Sequence, residues 1–230
     1  MYWIVAIRQN PDIGKSLSTS FMVTYYLTIV TVTALIVSHM KDHIARIDIQ
    51  QGELSQYLLR PYSYYFHNFL FEELPYRVIQ GSYGLGVIAV IAIFFPALLH
   101  YEFSFASIIA TLLSMVLGFL VCFNIEMILG LIALWFYDLR LFHSAYEVLF
   151  ILLGGMNMPI FIFPQTLYYV ALMTPFPAVM YIPTMIISGK IPAIESVPWL
   201  LYQLVWLIVT YAFYRLVWYF GIRRFTAAGI

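Results

Sequence analysis

Apolar stretches alternate with short polar ones along the chain and predict an all-helical, multi-pass membrane protein. A helix needs about 20 apolar residues to cross the roughly 30 Å hydrocarbon core of a bilayer. The stretches with at most one charged residue are 16–38, 78–99, 103–137, 144–158 and 198–220. As a single helix, 103–137 would be about 50 Å long and would have to tilt or project into water. We therefore predict about five spans.

Prolines interrupt the region between the last two predicted spans. Seven of the 11 prolines lie between positions 159 and 198. A proline in a helix interior removes a hydrogen bond and clashes with the preceding turn, at a cost of about 3 kcal/mol or more. No uninterrupted 20-residue helix fits here. We predict instead that region 156–197 forms short re-entrant helices on the external side, which protein must shield from lipid.

The composition excludes most soluble classes of protein. Of 230 residues, 63% are hydrophobic and only 10% are charged, whereas soluble domains carry about 25% charged residues. Eleven basic and eleven acidic residues give a net charge of zero, so no general basic field attracts nucleic acid. The predicted partner is the lipid bilayer, and not nucleic acid. Because Lys and Arg gather in cytoplasmic loops, we expect segment 41–77 and the C-terminus to lie inside.

Segment 41–77 is the one sizeable polar stretch. Its apolar side chains fall close together on a helical wheel: Ile44, Ile47, Leu54 and Leu58. The polar side chains off that face are Asp48, Gln50, Gln51 and Gln56. Gly52 predicts a bend between two short helices, and Pro61 predicts the end of the second. Both a helix on the membrane surface and a docking element for a cytoplasmic partner fit this pattern.

Candidate chemistry is sparse. Glu126 and Glu147 lie in predicted spans, where a carboxylate is costly and often functional. No basic residue or histidine recurs one turn away to form a relay, which favours a structural role such as pairing or capping a broken helix. The triplet that begins at Gly14 lacks the earlier glycine of a phosphate-binding loop, so we predict no ATP site in this chain. Since no catalytic cluster or metal-ligand spacing is visible, we predict neither an enzyme nor a bound cofactor.

The residues from Ile47 to Pro61 read IDIQQGELSQYLLRP. This run resembles the I-R-x-G-E-L-x-x-x-L-L-R-P loop of permease subunits of bacterial type-2 ATP-binding cassette (ABC) exporters. Three further runs resemble segments of that family in the same order. The first is Gly154-Gly155 before Pro159. The second extends from Phe163-Pro164 through Thr174-Pro175-Phe176 and Tyr181-Ile182-Pro183 to Gly189. The third is Gly221-Ile222-Arg223-Arg224. The resemblance extends from about residue 17 to the end.

The resemblance implies a single transmembrane permease domain, 1–230, in the bacterial inner membrane with a cytoplasmic C-terminus. Segment 41–77 would be the cytoplasmic coupling segment that binds a separate ABC ATPase, which carries ATP-Mg. Its implied contact and bend residues are Gly52, Glu53, Leu54, Leu58, Leu59, Arg60 and Pro61. The implied external gate comprises Gly154, Gly155, Pro159, Phe163, Pro164, Pro175, Phe176 and Pro183. A second permease subunit, identical or paralogous, would complete the path for the exported substrate.

One departure from the family and two alternative functions stay open at this level. The family has six spans, and residues 1–15 hold too little apolar sequence for the first. The expectation is therefore a truncated chain, or a subunit that works with five spans. The alternative functions are a proton-coupled secondary transporter that uses Glu126 and Glu147, and an assembly subunit without a transport path.

Overall fold

The computed structural model describes residues 19–96, 99, 101 and 104–225. Four helices in this part of the chain are long and apolar enough to cross a membrane. They are Ser20–Gln50, Tyr64–Phe94, Phe105–Leu134 and Val197–Gly221. They correspond to four of the five predicted spans, and the all-α prediction is confirmed. Residues 1–15, on which the missing first span was argued, lie outside the described residues.

The first long helix is broken after its first half. Helix α1 (Thr19–Ile36) ends before Ser38, and α2 (Met40–His43) restarts and continues as a π-helix over Ile44–Gln50. The Ser38 hydroxyl accepts a hydrogen bond from the N–H of Met40 at 3.2 Å. Lys41 lies in the first turn of α2 and is only 4% exposed, so the polar segment that begins at this residue starts inside the bundle.

The turn between the first two long helices contains the predicted bend. Gly52 has φ of 83°, a left-handed conformation that favours glycine. Helix α3 (Leu54–Leu58) follows and ends shortly before Pro61, as predicted. The next long helix comprises α4 (Tyr64–His67), a π-helical stretch over Asn68–Glu73, and α5 (Leu74–Phe94). It therefore begins 14 residues before the predicted span at 78–99.

Helix α6 (Phe105–Leu131) is the central element, and α1, α2 and α11 (Val197–Gly221) all pack on it. It is about 40 Å long at 1.5 Å per residue, shorter than the 50 Å expected for 103–137. The helix tightens to a 3-10 turn at Ile132–Leu134 and then ends. A stripe of small and hydroxyl side chains faces its neighbours: Ser107, Ala110, Thr111, Ser114, Gly118 and Cys122. These residues allow close packing between helices.

The segment between α6 and α11 is built from short helices. Helix α7 (Arg140–Leu153) has only 14 residues, about 21 Å, because Gly154 and Gly155 end it. The predicted span at 144–158 is therefore too short to cross as a helix. The chain continues as α8 (Gln165–Leu172), α9 (Phe176–Val179) and α10 (Tyr181–Ile187). The absence of a long helix between Pro159 and Pro198 is confirmed for this region.

The bundle has one end that is rich in basic residues. Helices α6 and α11 run parallel, since Gln203 contacts Ser114 near their starts and Gly221 lies against Leu134 at their ends. Residues 39–63, 134–143 and 215–225 therefore meet at one end, which we call the basic end. Lys190 lies at the opposite end, over the ring of Phe21 near the start of α1.

We expect Gly118→Val to destabilise the bundle by about 1–3 kcal/mol, as overpacking of a core typically does. A Cβ atom at Gly118 would lie 2.8 Å from the carbonyl oxygen of Val179 and 2.9 Å from that of Ala178. These are backbone atoms of the short-helix region and cannot rotate away. The measurement is the apparent melting temperature of the purified protein in detergent.

Gly86→Val is the matched control, because a Cβ at Gly86 meets nothing within 4 Å. Its effect should stay within about 0.5 kcal/mol, which is typical of surface substitutions. Equal melting temperatures for the two variants would contradict the proposed close contact between α6 and α9.

Candidate functional site

The turn between α2 and α4 combines one buried anchor with an exposed tip. Leu54 is completely buried in an apolar cluster with Ile44, Ile49 and Met127. By contrast, Leu59 is 88% exposed. Leu58, Glu53 and Pro61 are also exposed. The sequence placed Leu54 and Leu58 on one apolar face, whereas the structure buries the first and exposes the second.

The backbone of this turn is held locally. The Ser55 hydroxyl donates a 2.8 Å hydrogen bond to the carbonyl of Gly52, which has the left-handed conformation described above. The guanidinium of Arg60 lies 4.9 Å from the ring centre of Tyr57 and donates a 3.0 Å hydrogen bond to the hydroxyl of Tyr62. Arg60 is therefore turned back onto the aromatic residues of the protein, whereas Leu59 points outward.

Asp48 contradicts the helical wheel, which placed it on the exposed face. Its side chain is fully buried, accepts a hydrogen bond from the Tyr64 hydroxyl, and lies 3.8 Å from Nδ1 of His43. The reason is the π-helix over Ile44–Gln50, whose i to i+5 bonding changes the number of residues per turn. A wheel with 3.6 residues per turn therefore assigns Asp48 to the wrong face.

Glu126 pairs with the restarted helix after the break in the first span. One carboxylate oxygen accepts a 3.1 Å hydrogen bond from the backbone N–H of Lys41, in the first turn of α2. The other oxygen lies 3.5 Å from Nζ of the same residue. The ammonium also lies 3.5 Å from Glu147, which is 59% exposed on α7. Glu126 thus both pairs with a cation and caps a broken helix, the two structural roles anticipated from the sequence.

The region implied as a gate is packed inside the bundle. Tyr25 of α1 donates a 2.6 Å hydrogen bond to the carbonyl of Gly155, and Tyr26 donates a 2.7 Å bond to that of Asn157. Phe176 packs against Tyr146 and Phe150 of α7. Four of the other implied gate residues are buried: Gly154, Pro159, Phe163 and Pro183. Pro175 is half-buried, and Pro164 is exposed.

Two side chains that the sequence reasoning missed connect this region to the long helices. Nε2 of Gln203 on α11 donates to the carbonyls of Ala178, at 2.6 Å, and Ser114, at 3.0 Å. The Tyr202 hydroxyl donates a 2.5 Å hydrogen bond to the carbonyl of Thr174. The last carbonyl groups of any short helix have no partner within that helix, and in lipid only protein can satisfy them. The sequence did contain a signal for this contact, because Gln203 is an uncharged polar residue inside an otherwise apolar predicted span.

The geometry is that of a helical membrane subunit with a protruding turn at its basic end and a bonded, proline-broken segment in its interior. The model of a family described as ABC-2 family transporter protein matches residues 1–229. The chain therefore belongs to the ABC-2 transporter family. A comparison with curated protein sequences gives no match.

The contribution of the Lys41–Glu126 pair to the stability of the fold can be tested by substitution. Lys41→Met would leave a fully buried carboxylate without its cation, and we expect a loss of about 3–5 kcal/mol. Lys41→Met combined with Glu126→Gln should recover most of this loss, because the neutral amide oxygen can still accept from the N–H of residue 41. The measurement is thermal unfolding of the purified variants in detergent.

Glu147→Gln is the control on the same ammonium group. Because Glu147 is mostly exposed, its removal should cost no more than about 1 kcal/mol. If Lys41→Met and Glu147→Gln lowered the melting temperature equally, the buried pair would not be the stabilising one.

Proposed function

We propose that this chain is the membrane-spanning subunit of an ATP-driven exporter and that the turn from Gly52 to Pro61 binds a separate cytoplasmic ABC ATPase. The observation that carries the proposal is the exposed tip of this turn, with Glu53 and Leu59, on an anchor fixed in the bundle. Membership of the ABC-2 family supports the same role. ATP-Mg would then be bound by the ATPase, and this chain would perform no chemistry.

The turn is well placed to transmit a displacement. Its buried anchor, Leu54, packs in the cluster that joins α2 to α6. A Cβ atom at Gly130 of α6 would lie only 2.6 Å from the Cβ of Ile44, so the two helices are in close contact. Movement of the turn would therefore move α2 and α6 together, as in a rigid-body transition.

The short-helix region would serve as the external gate. It occupies the same face of α6 where Gly118 allows the backbone of α9 to approach. Hydrogen bonds from Tyr25 and Gln203 link it to α1 and α11, so rearrangement of the long helices would be passed to it. One chain would form half of the path, and a second permease subunit, the same or paralogous, would form the other half.

The charge distribution supports an orientation with the basic end in the cytoplasm of a bacterial cell. Most of the described Lys and Arg residues, including Arg46, Arg60, Arg140 and Arg224, lie at this end, whereas Lys190 lies at the opposite one. Lys and Arg favour the cytoplasmic side of an inner membrane. The C-terminus would then also be cytoplasmic.

The alternative of a proton carrier has less support from the geometry. A carboxylate that carries protons must gain and lose its charge during transport. Glu126 is engaged in structural contacts with the ammonium group and the backbone N–H of Lys41, and these contacts would have to weaken each time the carboxylate gained a proton. We therefore retain the exporter as the proposed function.

We expect Glu53→Lys and Leu59→Asp each to abolish co-purification of the ATPase subunit. Both replace exposed side chains at the tip of the turn and leave its buried anchor in place. The measurement is the ATPase recovered per permease after co-expression and affinity purification in detergent. Loss should exceed about tenfold, since truncation of a central contact commonly costs 2 kcal/mol or more.

Matched controls lie at the opposite end of the bundle. Ile194 is 88% exposed, like Leu59, and Glu195 is exposed like Glu53. Ile194→Asp and Glu195→Lys should leave ATPase recovery unchanged. Recovery of the ATPase with the tip variants at the level of these controls would rule out the coupling turn.

The orientation is testable by cysteine labelling, because the only cysteine, Cys122, is fully buried. A membrane-impermeant maleimide should label Leu59→Cys in inside-out vesicles and Ile194→Cys in spheroplasts. Labelling of Leu59→Cys from the outside would reverse the orientation and remove the basis for a cytoplasmic ATPase contact.

A further inference from the structure

A cavity of about 370 Å³ lies at the basic end, between residues 57–65 and the second half of α11. Its wall from the turn includes Tyr57 and Arg60, and its wall from α11 includes Tyr211, Arg215 and Trp218. The cavity lies directly beside the exposed tip, since Leu58 and Arg60, the two neighbours of Leu59, both line it. It therefore brings two guanidinium groups from distant parts of the sequence to one aromatic-lined site.

The positive charge of this cavity is uncompensated by direct ion pairs. Among the described residues, no carboxylate lies within 4.0 Å of Arg60 or Arg215. Nη1 of Arg60 contacts Tyr62 and His67, and Nη1 of Arg215 contacts the Tyr211 hydroxyl at 3.5 Å.

Three acidic groups, Asp48, Glu53 and Glu72, lie nearby, and none of them forms an ion pair with Arg60 or Arg215. The carboxylate of Asp48 accepts the hydroxyl of Tyr64, and Glu72 lies 3.9 Å from Nε2 of His67. The two guanidinium groups therefore remain available for an anion that enters the cavity.

In a second cavity at the basic end, carboxylates compensate the positive charge of the arginines. It has a volume of about 270 Å³ and is also lined by two arginines, Arg46 and Arg140. Two carboxylates line it as well, those of Asp42 and Asp138. Hydrogen bonds from Arg140, the shortest 2.6 Å, lower the pKa of Asp138 to about 2 and keep it charged. Positive and negative side chains thus balance in this second cavity.

The cavity that contains Arg215 lies near the end of α11, from which a long arginine side chain can reach the lipid headgroups. Helix α11 has 25 residues, or about 37 Å, against a hydrocarbon core of roughly 30 Å. Arg215 is about 9 Å along the axis from the last residue of this helix, Gly221. Trp218 and Tyr219 follow within one turn, as expected for an aromatic belt at the interface.

The wall of the cavity supplies hydrogen-bond donors beside the two charges. Burial raises the pKa of Tyr57 above its ordinary value, so its hydroxyl stays protonated and can donate. Arginine presents a planar fork of N–H groups that matches the oxygens of a phosphate. The Arg60 guanidinium is also held against the ring of Tyr57, which reduces the entropy lost when an anion binds.

We propose that this cavity binds the phosphate group of an anionic phospholipid through Arg60 and Arg215. A lipid is favoured over free phosphate because exposed apolar side chains continue along α11 beside the site. Ile208 and Leu204, two and three turns from Arg215 towards the middle of the helix and on the same face, are 61% and 41% exposed, where acyl chains would lie. The proposal depends on the membrane placement of the chain. Arg60 also belongs to the turn that we propose binds the ATPase, so lipid binding is tested on the chain without the ATPase.

The test is a titration of phosphatidylglycerol into the purified full-length chain in neutral detergent, with bound lipid counted by native mass spectrometry. Arg60→Gln with Arg215→Gln should weaken binding about thirtyfold, at about 1 kcal/mol for each arginine near an anionic lipid surface. Arg46→Gln with Arg140→Gln removes the same charge from the compensated cavity, and it should change binding by less than about threefold.

Four outcomes would overturn the proposal. An equal loss in both double variants would mean general attraction to positive charge without a site, and equal retention would mean that lipid binds elsewhere. Binding of phosphatidylcholine with the same affinity would remove the role of net charge. Displacement of the lipid by excess inorganic phosphate would reassign the site to a soluble anion.

Arg60→Lys with Arg215→Lys protects the test against misfolding. It keeps both charges and loses the planar fork, so we expect binding between those of the wild type and the glutamine variant. Binding as weak as in the glutamine variant, with an unchanged melting temperature, would support recognition by the fork. Lipid binding equal to that of the wild type in both the glutamine and the lysine double variants would contradict the site.

Discussion

The capping of α2 by Glu126 is the interaction on which the basic end of the molecule depends. A break in a membrane helix leaves backbone N–H groups without partners, and lipid offers no acceptor. Glu126 supplies one acceptor to Lys41 and compensates its own charge with the ammonium of the same residue. The break can therefore persist, and α2 is attached to α6 at a fixed position. The turn at Gly52 follows this helix in the chain, so the attachment of α2 to α6 also fixes where the turn lies.

Helix α6 receives both specialised regions of the chain. The first broken helix, which leads into the turn at Gly52, reaches it through Ile44 against Gly130, and the proline-broken segment reaches it through Gly118. Both contacts need glycine, because a larger side chain would collide with backbone or Cβ atoms. Gln203 adds a polar connection from α11 to the same segment. One rigid helix thus joins two regions at different heights in the bundle, which is the arrangement a mechanically coupled gate requires.

The sequence predicted the features that depend on local chemistry. Gly52, Pro61 and the proline-rich region act through their own backbone limits, and their bends and breaks appear as expected. The burial of Lys41 and Asp48 was missed, since each is buried only because Glu126 or Tyr64 comes from another helix. The π-helix that turns Asp48 inward has no clear signal in the residues. The surroundings of the residues implied for coupling and gating likewise required the tertiary structure.

Counting basic residues in a sequence treats every charge as equal, and the structure shows why this is incomplete. Lys41 and Arg77 are buried against carboxylates, and Arg140 is bound to Asp138, so these three add little to the field outside the protein. Arg60 and Arg215 contact aromatic rings and hydroxyl groups instead. Aromatic partners hold a guanidinium without neutralising it. The charge that a membrane surface would experience at the basic end therefore comes disproportionately from arginines with aromatic partners, which no net-charge calculation separates from the paired ones.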